Sequence, residues 1–275
     1  MTALELLDYA VPDALPMRPQ RSIRRLLSPL FREVEHAYAW RAESVGFWDT
    51  ADGQYWMPRL IFHRPGEEPD VKIGIFAGIH GDEPAGVLAL CDFVRALETS
   101  PVRGRGYQIH VYPLVNPTGY EDGTRHARCG RDLNREFWCG STEPEVRLIE
   151  QEIQREQFQG YISLHSDDTS HGMYGFARGA TLTQHLLTPA LAAVEAALPV
   201  NRADVIDGFH AIEGIIHTGY GGILSAPPDA HPQPFEIILE TPAEAPMHLQ
   251  RAAFVLALAE ILTHYRRLIA YGGEL

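Results

Sequence analysis

The chain has 275 residues, 45% of them hydrophobic and 21% charged, with a formal net charge of −13. Length and composition fit a globular protein with a sizeable core, and the acidity disfavours nucleic acid or an acidic membrane as partner. Lysine occurs once, at Lys72, which leaves Schiff-base chemistry one poor candidate. Cys91, Cys129 and Cys139 are too few and too scattered for a disulfide framework, and reduced thiols are expected. No apolar run reaches the ~18 residues of a membrane span. The first residues lack a basic stretch leading into an apolar core, so the expected location is cytoplasmic.

In chain order, residues 1–20 are polar with three prolines and are expected to wrap the surface. Ser22 to Tyr38 has helical spacing, with a break or a new start expected at Pro29. Val45 to His63 reads as two strands around the turn Asp49-Thr-Ala-Asp-Gly53. Val71 to Gly78 is apolar on both faces and therefore a central strand. Pro84 to Leu97 is a helix with proline suited to its first turn. Tyr107 to Val115 is the next strand. Asn116 to Cys139 is a long irregular stretch rich in arginine and glycine, of a kind that is usually functional or disordered.

Thr142-Glu-Pro-Glu145 has the spacing of a capping box and opens a helix to about Phe158. Gly160 to Leu164 is a short strand ending at His165. Thr181 to Leu198 is helical, with Pro189 as a disturbance, and residues 199–234 are loop-rich. Phe235 to Glu240 is a strand and His248 to Ala270 a long closing helix. Strands alternating with helices predict an α/β fold: a mainly parallel mixed β-sheet flanked by helices on both faces. The expected organisation is a single catalytic domain over residues 1–275, with residues 1–65 a helix and hairpin packed on it.

In such sheets, sites gather beyond the carboxyl ends of the strands. His80, His165 and Glu240 all fall at such ends. His80-Gly-Asp-Glu83 offers an imidazole and a carboxylate in a turn between strand and helix, and His165 in Ser163-Leu-His-Ser-Asp-Asp168 supplies a third donor. Two histidines and a carboxylate form a catalytic zinc set that leaves a position for water. Three ligands suffice, so Asp82 is expected to orient the turn or a partner. His171 follows the second strand as a substrate or supporting residue, and the remaining histidines read as surface or packing. No His-Glu-x-x-His run exists, which excludes the helical metalloprotease arrangement.

His80-x-x-Glu83, Asn116-Pro-Thr-Gly-Tyr120, Gly123-Thr-Arg125, Asp132-Leu-Asn-Arg135, His165 and a late strand-end glutamate occur in that order. The set resembles the zinc carboxypeptidase family of the carboxypeptidase A type. The His-Gly-Asp-Glu-Pro and Asp-Leu-Asn-Arg elements are shared with the related succinylglutamate desuccinylase/aspartoacylase group. The resemblance implies a carboxypeptidase-like fold and one Zn2+ per chain on His80, Glu83 and His165. It implies hydrolysis by a zinc-activated water, with a late glutamate moving the proton. Glu236 and Glu240 are four apart on one side of a strand, and Glu240 is favoured because it lies at the carboxyl end before Thr-Pro.

Asn134 and Arg135 match the pair that holds the substrate's terminal carboxylate, which a guanidinium grips bidentately. Arg125 matches the arginine that polarises the scissile carbonyl, with Arg128 and Arg131 close enough to compete. For the mobile tyrosine, Tyr220 is the candidate, while His217 and Tyr174 remain open. The implied substrate is a small peptide with a free carboxylate, and an acyl amino acid is the alternative. A catalytically silent binding protein on the same fold is a third reading.

Overall fold

The computed structural model describes residues 21–51, 53–68, 71–181 and 183–272. The surface-wrapping segment expected over residues 1–20 lies outside them. The chain begins with α1 (Ile23–Glu35), capped by the Ser22 side chain, which accepts from Arg25 N. No break occurs at Pro29, contrary to the sequence expectation. An interior proline costs about 3 kcal/mol, but Ile23, Leu26, Leu27, Leu30, Phe31 and Val34 are all buried on one face, and each such burial is worth roughly 1.5–3 kcal/mol.

The elements that follow are β1 (Trp40–Thr50), β2 (Gly53–His63), β3 (Val71–Ala77), α2 (Pro84–Thr99), β4 (Tyr107–Tyr112), α3 (Pro117–Asp122), α4 (Pro144–Glu156), β5 (Gly160–Asp167), β6 (Tyr174–Gly179) and α5 (Thr183–Val194). The short strands β7 (Val205–Ile206), β8 (Phe209–Ile212) and β9 (Ile215–Ile216) precede β10 (Phe235–Pro242) and α6 (Met247–Gly272). Among the described residues no helix is long and apolar enough to cross a membrane.

The strands form one ten-stranded mixed sheet in the order β1-β2-β4-β3-β5-β10-β6-β9-β8-β7. Its centre, β4-β3-β5-β10, is parallel. The hairpin β1–β2 joins one side through an antiparallel pairing of β2 with β4, and β6 pairs antiparallel with β10 on the other. Every residue of β3 except Lys72 is buried, as its two-sided apolar pattern requires. Helices α1, α2, α5 and α6 pack against one another, and α4 covers β1 with Leu148 against Gly46. Arg59 on β2 pairs with Glu43 on β1 and with Glu152 and Glu156 on α4, the last two at 2.6 and 3.1 Å. This buried arginine ties the hairpin to α4.

The stretch 116–139 is more ordered than its composition suggests. It contains α3, capped by the Asn116 side chain, and a 3-10 turn over Leu133–Arg135, capped by Asp132. The capping box expected at Thr142–Glu145 does not form. Glu143 is the N-cap without a side-chain bond, and Pro144 occupies the first turn. Glu145 turns inward instead and is buried.

Candidate metal centre and substrate cleft

β3 and β5 are parallel neighbours, with Ala77 level with Leu164. Both strands end at the same edge, so the turn after β3 meets the end of β5. That turn is fixed from below by Asn116, whose side-chain amide donates to Ile79 O at 3.2 Å and to Arg125 O at 3.3 Å. Gly81 packs on α3 so closely that a Cβ there would lie 1.9 Å from the carbonyl carbon of Gly119. Only glycine fits between the two metal-type residues, and its absence of side chain lets the turn lie flat on α3.

His80, Glu83 and His165 are buried and converge. Their candidate ligand atoms all lie within 4.8 Å of one another. His80 Nδ1 is 2.6 Å from Glu83 Oε1 and 3.2 Å from His165 Nδ1, which is 3.1 Å from Glu83 Oε2. Ser166 N donates to Glu83 Oε2 at 3.0 Å and sets the carboxylate's orientation. The two imidazoles hold the Glu83 carboxyl below the usual carboxylate range, against the opposing effect of burial. Burial also holds His165 below its ordinary value.

The donor set fits a divalent ion. Two imidazole nitrogens face each other at 3.2 Å beside a carboxylate that presents one oxygen to each. Bonds of roughly 2.0–2.1 Å around a tetrahedral ion place its donors a little over 3 Å apart, which is the separation of the two nitrogens here.

Behind His80, Asp132 Oδ1 lies 3.2 Å from Nε2. Asp132 also accepts from Arg125 Nε at 3.1 Å and from Asn134 N at 3.0 Å. A carboxylate on the far ring nitrogen fixes the tautomer and leaves Nδ1 to the centre. Asp132 was visible only as a letter in the Asp-Leu-Asn-Arg run. Its part in orienting His80 follows from the chain reversal between residues 116 and 135. Asp82, expected to orient the turn, is exposed at the cleft rim. Asn116 and Asp132 do that work because they stand behind the His80 turn, where Asp82 does not reach.

Glu240 is level with His165 on β5 and with Tyr174 on β6. Residues in register leave the sheet on one face, so the three side chains form a row. Burial, with the nearby carboxylates of Glu83, Asp167 and Asp207, pushes the Glu240 carboxyl well above the usual range. Glu236, its competitor, is engaged elsewhere and accepts from Ala226 N at 2.9 Å. Tyr174 donates to Asp167 Oδ2 at 2.9 Å.

These groups open onto a cleft of about 540 Å³ lined by His80, Glu83, Glu240, Arg125, Asn134, Arg135, Tyr174 and Tyr220. Arg125 reaches within 3.6 Å of Glu83 while held by Asp132. Arg128 is bound to Asp122 and Tyr55, and Arg131 to Glu136 and Glu143. Asn134 accepts from Leu224 N at 2.9 Å. The Arg135 guanidinium lies 4.1 Å from the centre of the Tyr220 ring, and the Tyr220 hydroxyl donates to Asp207 Oδ1 at 2.9 Å. His217 lines a different surface cleft with Arg178 and Gln184, and His171 is exposed. Asp207, which sequence reasoning missed, sits in the β7–β8 turn at φ 51. No local pattern pointed to it.

Residues 69–205 match the model of the Succinylglutamate desuccinylase/Aspartoacylase catalytic domain. Carboxypeptidase D of Rattus norvegicus is 30% identical over 158 residues, which span 50% of this chain and only 10% of that protein. Among solved structures, a candidate metallopeptidase from Shewanella denitrificans OS217 superposes with a TM-score of 0.75 at 22% identity, over 89% of this chain and 90% of the other. A metallo-carboxypeptidase from Pseudomonas aeruginosa, in complex with (2-guanidinoethylmercapto)succinic acid, gives 0.63 at 18% identity over 90% of this chain and 69% of the other. At these identities the structural likeness is one of fold.

Proposed function

We propose that the chain, whose residues 69–205 match the Succinylglutamate desuccinylase/Aspartoacylase catalytic domain, is a metallocarboxypeptidase-like hydrolase that cleaves an amide bond next to a free carboxylate. The observation that carries this reading is the convergence of His80, Glu83 and His165 in one cleft with Glu240, Asn134 and Arg135. His80, Glu83 and His165 would hold one zinc ion. When bound, zinc lowers the pKa of water and polarises a carbonyl.

The chain's own residues supply the rest. Asn134 and Arg135 grip the substrate's terminal carboxylate and fix the scissile amide over the centre. Arg125, steadied by Asp132, donates to the carbonyl oxygen as negative charge grows there. Glu240 accepts a proton from the attacking water and delivers it to the leaving nitrogen; its raised affinity for protons suits both halves of that task. Tyr220, stacked on Arg135, closes over the bound carboxylate.

The primary form is a carboxypeptidase acting on small peptides. A deacylase acting on acyl amino acids is the second reading, favoured by the family match over residues 69–205. Free, exposed Cys129 and Cys139 suit a reducing compartment such as the cytoplasm. The test is metal content by mass spectrometry with hydrolysis of short peptides and N-acyl amino acids, for the wild type and Glu240→Gln. The variant should keep its zinc and lose about 10²–10⁴-fold in kcat. Wild-type protein that binds no metal, or equal turnover by both proteins, sinks the assignment.

A further inference from the structure

β7 and β8 form a hairpin with Val205 opposite His210 and Ile206 opposite Phe209. The two-residue turn between them, Asp207-Gly208, has φ of 51 and 78. Positive φ at both positions marks the tight hairpin turn that Asn-Gly, Asp-Gly and Gly-Gly supply. Ile206 and Ala211 anchor the hairpin in an apolar cluster with Phe176, Ile223 and Ile238. The turn brings Asp207 into the wall of the cleft that contains the metal-type residues.

The turn does not require a carboxylate there, because asparagine or glycine takes the same φ without a charge. The charge is also unfavourable where it stands: burial and the neighbouring Asp167 push the Asp207 carboxyl above its ordinary range. What the carboxylate holds is Tyr220. The Tyr220 hydroxyl donates to Asp207 Oδ1 at 2.9 Å, and the Phe209 ring of the same hairpin meets the Tyr220 ring edge to face at 4.9 Å. The Arg135 guanidinium lies 4.1 Å from the centre of that tyrosine ring. Tyr220 is 36% exposed, and a side chain so open to water changes rotamer within nanoseconds unless it is tied. Arg135 donates to Asn134 O at 2.7 Å, which fixes one end of its fork and leaves the plane to the Tyr220 ring.

We propose that Asp207 is a positioning residue: through the Tyr220 hydroxyl it holds the Tyr220 ring on Arg135 before substrate arrives, so that the guanidinium plane is already set for a carboxylate. A planar fork grips a carboxylate bidentately only in its own plane, and fixing that plane in advance removes an ordering cost from binding. Asp207 acts through Tyr220 and need not touch the substrate. This rests on the reading of Asn134 and Arg135 as the carboxylate grip.

The test uses zinc-supplied protein carrying Asp207→Gly, which keeps the turn and removes the acceptor, or Asp207→Asn, which keeps both. Calorimetry gives the Kd of N-acetylglycine and N-acetylphenylalanine. Asp207→Gly should weaken binding about three- to tenfold, the order of one net hydrogen bond, and Asp207→Asn should stay within about twofold of the wild type. In a Tyr220→Phe background, where no hydroxyl remains to be held, Asp207→Gly should cost nothing further. Hydrogen exchange at the Arg135 Nε–H, assigned by NMR with Arg135→Lys, needs no ligand. Asp207→Gly should speed it by a similar factor, and Asp207→Asn should not. Exchange unchanged by Asp207→Gly, an asparagine variant as impaired as the glycine one, or an undiminished loss in the Tyr220→Phe background overturns the proposal. If neither acid binds any of the proteins, exchange alone decides the role of Asp207, and it is the carboxylate grip that fails. Peptide hydrolysis by the wild type is scored separately: its absence, with binding and exchange as expected, sinks the hydrolase reading and leaves Asp207 standing.

Discussion

Asp132 illustrates how one carboxylate can serve two neighbours. It takes the Arg125 guanidinium on one oxygen and faces His80 Nε2 with the other. The pairing holds the Asp132 carboxyl far below the usual range although burial opposes it. Removing that charge while keeping the shape frees the His80 ring to turn and slackens Arg125. Asp132→Asn should therefore weaken zinc binding about 10–100-fold, measured by competition with a chromogenic chelator. Unchanged affinity would show that the ring is held by other contacts. The convergence of His80, Glu83 and His165 was legible in the sequence, because His80 and His165 sit where an apolar strand stops, a position with a physical meaning. Asp132 and Asp207 were not, since a carboxylate in a loop carries no periodicity and its neighbour is decided by how the loop returns.

The start of α4 shows competition within an element. A helix N-terminus favours an anion by roughly 0.3–1 kcal/mol, yet a carboxylate buried without a cation costs several kcal/mol. Glu145 is 3% exposed, and burial, reinforced by the charge of Glu143, raises its carboxyl to about 7 from an ordinary 4.5. Between those two values the folded chain holds the proton that the unfolded chain has released. Stability therefore falls as pH rises through that window and stays low above 7. Glu145→Gln should be the more stable protein at pH 8, by roughly 1–3 kcal/mol, and should match the wild type near pH 4. Urea denaturation at both pH values reads this directly; a variant no more stable at pH 8 would mean that the Glu145 charge is compensated. The sequence had suggested this glutamate as a capping partner because the spacing allowed it. Pro144 and the apolar face of Val146, Ile149 and Ile153 decided the outcome by drawing the first turn inward. Long elements such as β3, α2 and α6 were legible from their periodicity. β6 to β9 were missed because strands of two to six residues leave too short a pattern and are stabilised by partners far along the chain.

At the scale of the molecule, the centre exists because β3, β5 and β10 are adjacent and parallel in the sheet. Local patterns named these strands, but their order is set by crossovers that bury both faces. The same order brings two imidazoles and two carboxylates together away from water, an arrangement that costs stability unless a cation joins them. His165 Nε2 is buried without a hydrogen-bond partner, which adds to that cost. Bound zinc should thus stabilise the whole fold. At a free concentration about a thousand times Kd the gain is about 4 kcal/mol, and at roughly 2–4 °C per kcal/mol for chains of comparable size the zinc-loaded protein should melt on the order of 10 °C above the chelated protein. His165→Ala should melt at one temperature with or without zinc, because the remaining pair, His80 and Glu83, offers too few donors to hold the ion tightly. Calorimetry on both proteins, chelated and then re-supplied with zinc, makes the comparison. A wild-type Tm unmoved by either treatment would mean that these buried donors satisfy one another by sharing protons, and that the convergence of β3 and β5 did not evolve around an ion.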